Sequence, residues 1–332
     1  MPRPTSPDPS KPLRRTVVAA VGITGLLVLG GCPQKDASVD PASAAAAVSP
    51  ASPASPTSPA RTPRPTVSTT LKRAELMALV FPDSHGPQAA EDTPGIVRLP
   101  KIDNEGQQVA GSDAEREAQV AAREVVRLDD RHAVMLTETV PLTEQGHPMN
   151  GHPDGAWLGA YFFEQGLDGW KLAGRNDAVD YRGFMGNLGE TKVERLSGGQ
   201  FVMTLTNGSC WHGMCAQWLS VYALETERVR AMVKGIPLSA NNEGSDEACE
   251  KLLKGEQPEE PPRSACFDIG GRPAFVHGAE GDGKDELRIV FSGQRTGGTG
   301  KPQVRKVSTT LVYVERKGRY ELREGRNPVP SL

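Results

Sequence analysis

The sequence predicts a mainly β domain of antiparallel hairpins, and three observations carry that prediction. Beyond Val67 the apolar residues recur at every second position in short runs, the signature of half-buried strands. Turn-forming clusters such as Asp129-Asp130-Arg131, Asp168-Gly169 and Ser197-Gly198-Gly199-Gln200 separate those runs. No long helical pattern lies between strands to serve as a parallel crossover, so the strands are expected to close as a sandwich, an open barrel or a propeller-like meander.

The elements follow in order. Thr70 is placed to cap a helix from Leu71 to about Phe81, with Leu71, Ala74, Met77, Ala78 and Phe81 on one face and Pro82 as its stop. Ser112 and Glu115 have capping-box spacing, which predicts a second short helix through Ala122. Strands are then expected at 124–128 and 133–139, at 157–164 and 170–173, at 191–196 and 201–206, and at 217–224 and 229–233. A short helix near 246–253 and a Pro-Glu loop at 257–262 interrupt the series. Strands return at 265–269, 287–292, 304–314 and 319–323, while Gly270-Gly271 and Gly281-Asp282-Gly283 read as turns. One pattern recurs: Tyr161-Phe162-Phe163-Glu164 leading to Trp170-Lys171-Leu172-Ala173-Gly174 is echoed, with a one-residue gap, by Tyr313-Val314-Glu315 leading to Tyr320-Glu321-Leu322-Arg323-Glu324-Gly325. It implies one hairpin design used twice, and either two related halves or convergence on common hairpin chemistry.

The first 66 residues are of another kind. Arg3, Lys11, Arg14 and Arg15 precede an apolar run from Thr16 to Leu29, which holds 14 residues and is short of the roughly 20 that span a bilayer as a helix. Leu29-Gly30-Gly31-Cys32 closes it with two small residues before a cysteine. This stretch resembles the lipobox of bacterial lipoproteins, which implies cleavage after residue 31, acylation of Cys32 and attachment to a membrane without a transmembrane helix. Two or more acyl chains suffice for stable anchoring, at about 0.8 kcal/mol per buried methylene. Pro33 stands where aspartate commonly retains such proteins at the inner membrane, so the resemblance implies the periplasmic face of the outer membrane. Residues 33–66 collapse to Pro, Ala and Ser, including Ser-Pro steps at Ser49, Ser52, Ser55 and Ser58. That composition has no apolar face to bury and predicts a disordered tether biased to polyproline II, reaching up to roughly 100 Å at about 3.1 Å per residue. The domain is then expected over 67–332.

Charge narrows the partners. The full chain carries a formal −3 and the signal segment +3, so the processed chain carries −6. With no dense basic stripe, nucleic acid is not an expected partner, and no motif calls for a cofactor. Once Cys32 is assigned to lipid, Cys210, Cys215, Cys249 and Cys266 remain, an even number for an oxidising compartment. Of the three pairings, the sequential one closes the shortest loops and is the expected one.

The sharpest local constellation is Cys210-Trp211-His212-Gly213-Met214-Cys215, after Asn207-Gly208, which reads as turn-favouring. A bridge there makes a small ring. Either it displays Trp211, His212 and Met214 to a partner, or Trp211 and Met214 fold back on the core, the commoner fate of large aromatics. A metal alternative uses Cys210, Cys215 and His212, completed by His147 or His152. For hydrolysis there is no Gly-x-Ser-x-Gly; Ser197-Gly198-Gly199 and Gly208-Ser209-Cys210 lack its flanks, and Asp168, Asp177 and Asp180 read as turn and surface groups. Hairpins ending in Gly-Trp-x-Leu together with a cysteine-bearing loop look similar to proteobacterial envelope proteins, which implies a location and no particular activity. The expectation is therefore a membrane-anchored envelope lipoprotein that binds an envelope protein or ligand. An envelope hydrolase with a site assembled from distant loops, or a Cys/His metal module, is the alternative.

Overall fold

The computed structural model describes residues 66–84, 93–101, 115–278, 283–297 and 302–331. The lipobox, Cys32, nearly all of the Pro/Ala/Ser tether, Ser112 and Gly281-Asp282 lie outside the described residues. A helix α1 (Arg73–Val80) comes first. Five strands then form one antiparallel sheet, β1 (Gly95–Pro100), β2 (Glu115–Arg127), β3 (His132–Pro141), β4 (Ala156–Gly166) and β5 (Gly169–Arg182). Eight form a second: β6 (Glu190–Arg195), β7 (Phe201–Trp211), β8 (Met214–Leu224), β9 (Val229–Asn241), β10 (Phe267–His277), β11 (Asp285–Gly297), β12 (Gln303–Arg316) and β13 (Arg319–Glu324). A short helix, α2 (Glu247–Leu253), lies between β9 and β10. Within each sheet every strand pairs with its neighbour in sequence, so the expected meander of hairpins is what forms. No helix among the described residues is long and apolar enough to cross a membrane.

Alternation within the strands decides the layers. In β3, Val134 and Leu136 face one way and Ala133 and Met135 the other. Val134 and Leu136 join Leu158, Ala160 and Phe162 of β4 against Met203, Leu205, Tyr222 and Leu224 of the second sheet, so the two sheets share a core as a sandwich. The opposite face, with Ala133, Met135, Tyr161, Phe163 and Trp170, is filled from one end by Leu76, Met77 and Phe81 of the α1 segment. The second sheet also curls on itself. Leu219, Val221, Ile269, Ile289, Phe291, Leu311 and Tyr320 make one core inside a half-barrel, tied across its opening by Arg230 donating to the Gly318 carbonyl and Asn327 Nδ2 donating to that of Pro237 at 2.8 Å.

Several expectations need correction. Residues 115–122 are not helical: they are the first half of β2, paired to β1 on one side and β3 on the other. Ala118, Val120 and Ala122 fit a spacing of two as well as a helical face, and pairing to β1 over 115–120 and to β3 from 118 onward supplies backbone partners. Gly270-Gly271 is no turn but lies inside β10, where a side chain on Gly271 would meet the Phe291 ring at 2.7 Å. Helix α1 begins at Arg73, two residues late, with Thr70 Oγ1 accepting the Lys72 amide at 3.2 Å.

The echoed hairpins share a construction. Gly166 pairs with Gly169 and Arg316 with Arg319, so each closes over two residues. Each then shifts register at the same distance from its turn, leaving Ala173 and Arg323 as bulged residues. The turns differ, because Lys317 and Gly318 both take positive φ whereas in the first hairpin Gly169 does.

Candidate functional site

The β7–β8 hairpin runs from Phe201 opposite Leu224 to Trp211 opposite Met214, so regular pairing continues past the core into the cysteine-bearing stretch. Asn207-Gly208, expected as a turn, sits inside β7 opposite Trp218 and Gln217. The reversal is made instead by His212-Gly213, with φ of 49° and 77°, the left-handed pair that matches strand twist. Cys210 and Cys215 face each other as the penultimate pair, are joined in a disulfide and hold their Cα atoms 4.0 Å apart. The second disulfide joins Cys249 on α2 to Cys266 just before β10, completing the sequential pairing.

The tip is braced on two sides. A Cβ on Gly213 would come within 2.1 Å of the Gly244 carbonyl oxygen, so the turn lies directly on the Glu243–Ser245 stretch. On the other side, His152 packs against Trp211 at a tilt of 55° with centroids 4.5 Å apart, and His212 meets the same indole edge-on at 4.9 Å. The rings continue from His152 to Phe184 at 6.1 Å and from Phe184 to Trp218 at 5.9 Å. Met185 follows in the tight 184–187 turn, which the Gly186 amide ties to the Asp154 carbonyl at 2.8 Å. Trp211 remains 56% exposed, Met185 55% and Met214 38%, and none of them belongs to a core cluster. The folded-back arrangement of Trp211 and Met214 does not form, because the paired strands carry the tip beyond the sandwich.

The hydroxyls and carboxylates near imidazoles are tested by geometry. His152 Nε2 lies 2.7 Å from Ser209 Oγ but also 3.1 Å from the Cys210 carbonyl oxygen. A carbonyl at that distance requires the proton on Nε2, so Ser209 accepts and its hydroxyl is not activated. Ser197 Oγ donates to Asp285 Oδ1 at 2.5 Å with His277 Nδ1 at 3.2 Å, and the Ser197 amide donates to Asp285 Oδ2 at 2.6 Å. A working triad places imidazole between hydroxyl and carboxylate; here the carboxylate holds the serine directly. Burial opposes its charge, but the bonds from Ser197 and His277 outweigh that and hold the Asp285 carboxyl below its ordinary range. The cluster pins the β6–β7 turn to the ends of β10 and β11.

Of the three aspartates, only Asp168 is a simple exposed turn residue, 4.0 Å from Lys171. Asp177 accepts from the Tyr161 hydroxyl at 2.5 Å and from Arg175. Asp180 is mostly buried and accepts from Tyr222 at 2.6 Å, Arg182 at 3.0 Å and Lys234 at 3.1 Å, bolting β5 to β8 and β9. Burial, with Asp180 beside it, pushes the Tyr222 hydroxyl well above the ordinary range. The metal alternative loses its thiolates to the Cys210–Cys215 bridge, and His147 sits in a turn closed by the Thr143 amide on its carbonyl at 2.7 Å. Among the described residues no three His, Cys, Asp or Glu side chains converge on one point.

Sequence reasoning placed Trp211, His212 and Met214 together but missed Phe184, Met185 and Trp218, which come from separate segments with no shared local pattern. Comparison of the chain with protein-family models, with curated proteins and with solved structures gives no match.

Proposed function

We propose that the protein is a lipid-anchored bacterial envelope component that binds another envelope protein through the disulfide-closed β7–β8 tip. Three features support the reading: the Leu29-Gly30-Gly31-Cys32 lipobox, a Pro/Ala/Ser tether that lets a domain search away from the bilayer, and two disulfides suited to an oxidising compartment. The observation that carries the contact is Trp211, more than half exposed yet held by a bridge, a two-residue turn and a tilted imidazole packed against it. A large aromatic fixed in advance loses little entropy on association, which is the usual property of an interface anchor.

The test is chemical crosslinking in envelope membranes with wild type and Trp211→Ala. The expected result is a discrete adduct that the substitution removes while the melting temperature moves little, as for an exposed position. Lost stability with the crosslinking pattern unchanged would assign Trp211 to packing and sink the reading.

A further inference from the structure

The face of the first sheet that α1 fills from one end is open at the other. There a cleft of about 240 Å³ is lined by every strand of that sheet, through Leu99 of β1, Arg116 of β2, Pro141 of β3, Trp157 of β4 and Tyr181 of β5, with Met149 from the following loop closing it. These side chains share one face by register: Leu99 is opposite Arg116, and Trp157 is opposite both Thr139 and Tyr181. The walls are mainly apolar, and the indole and phenol rings pack edge to face at 5.3 Å. Mouths of curved sheets are common places for small ligands.

Two polar groups here, Arg116 and Tyr181, are donors without an oxygen acceptor among the described residues. Trp157 Nε1 is buried and has no hydrogen-bond partner among the described residues. Tyr181 Oη accepts the Gly155 amide at 2.6 Å, and its own proton has no acceptor among them. The half-buried Arg116 guanidinium lies against the thioether of Met149, and no carboxylate among the described residues pairs with it. Trp157 Nε1 has no accessible surface, so the donors lining the cleft are those of Arg116 and Tyr181, and donors left unmet in a folded protein favour an acceptor that arrives from outside. Lys101 adds a second cation at the rim. Asp154, also lining the cleft, has one oxygen engaged by the Gly151 amide at 2.7 Å. The lining therefore carries one net positive charge, which suits a monoanion better than a phosphate dianion.

We propose that this cleft binds a small organic carboxylate with a compact apolar body, its carboxylate on Arg116 and Tyr181 and its apolar part against Leu99, Pro141, Met149 and the Trp157 ring. The site is separate from the Trp211 tip and does not depend on that tip's role.

Calorimetric titration of the full-length chain in detergent tests it, with phenylacetate, its neutral isostere phenylacetamide, and inorganic phosphate as probes. Phenylacetate is expected to bind saturably and at least about tenfold more tightly than phenylacetamide, the value of one charge-assisted hydrogen bond. Arg116→Gln is expected to abolish that preference, and Trp211→Ala to leave it intact. Equal affinity for acid and amide, phosphate binding as tight as phenylacetate, or no binding of any probe would each overturn the proposal. The first two comparisons use wild type alone, so they stand even if Arg116→Gln fails to fold.

Discussion

Removing the disulfides one at a time should expose their different work. Cys210 and Cys215 are five positions apart and Cys249 and Cys266 seventeen. Constraint of the unfolded chain alone gives about 2.2 kcal/mol for the short loop and about 3.2 kcal/mol for the long one. Packing widens the gap. Cys249 and Cys266 are fully buried with Leu253 and Leu252 around them, and the Cys266 amide donates to Thr296 Oγ1 at 2.9 Å. Cys210 is exposed, and the strands it joins are already paired to the last residue before the turn. The double variant Cys249→Ala/Cys266→Ala should therefore lose about 3 kcal/mol or more and Cys210→Ala/Cys215→Ala about 2 kcal/mol or less. Urea unfolding followed by circular dichroism reads both. If the tip bridge costs as much as the buried one, or more, the reasoning about where the staples act is wrong.

Other consequences are as direct. Gly213→Ala puts a Cβ on a residue at φ 77° and against the Gly244 carbonyl, so it should cost more than about 2 kcal/mol by the same urea assay. Asp180→Asn should destabilise more than Tyr222→Phe, because it weakens the hold on Tyr222, Arg182 and Lys234 together, whereas the phenylalanine leaves Asp180 with both cations; paired thermal melts decide it. The Asp285 carboxyl is held below its ordinary value of 3.8 in the folded chain, so its stabilisation is complete at neutral pH and is lost as pH falls through 3.8 and then through the lower folded value. Ser197→Ala should cost about 1.5 kcal/mol at neutral pH and progressively less as the pH falls through that range, measured by melts across pH.

The strand class and most hairpins were legible because alternation and turn chemistry are local. Phe201 to Thr206, the Asp168-Gly169 reversal and the short helix near 246–253 all follow from neighbouring residues. What failed was set by distant partners. Alanines in β2 carry no strong period of their own, and only β1 and β3 on either side make them a strand. Strand β10 runs through Gly270-Gly271 and Pro273, residues that read as punctuation, because the Phe291 ring needs the space that Gly271 leaves. In the candidate site the cysteine spacing announced the ring, but the exposure of Trp211 could not be read from it. That depends on how far β7 and β8 stay paired and on His152 arriving from a loop some sixty positions away.

The proposed export and anchoring of this chain give the proposed Trp211 contact its setting, and one measurement tests them most directly. Intact-mass and peptide-mapping spectrometry of protein extracted from membranes without reductant should find an amino terminus at an acylated Cys32 and two cystines, Cys210–Cys215 and Cys249–Cys266. An unprocessed amino terminus beginning at Met1, with free thiols, would contradict the account.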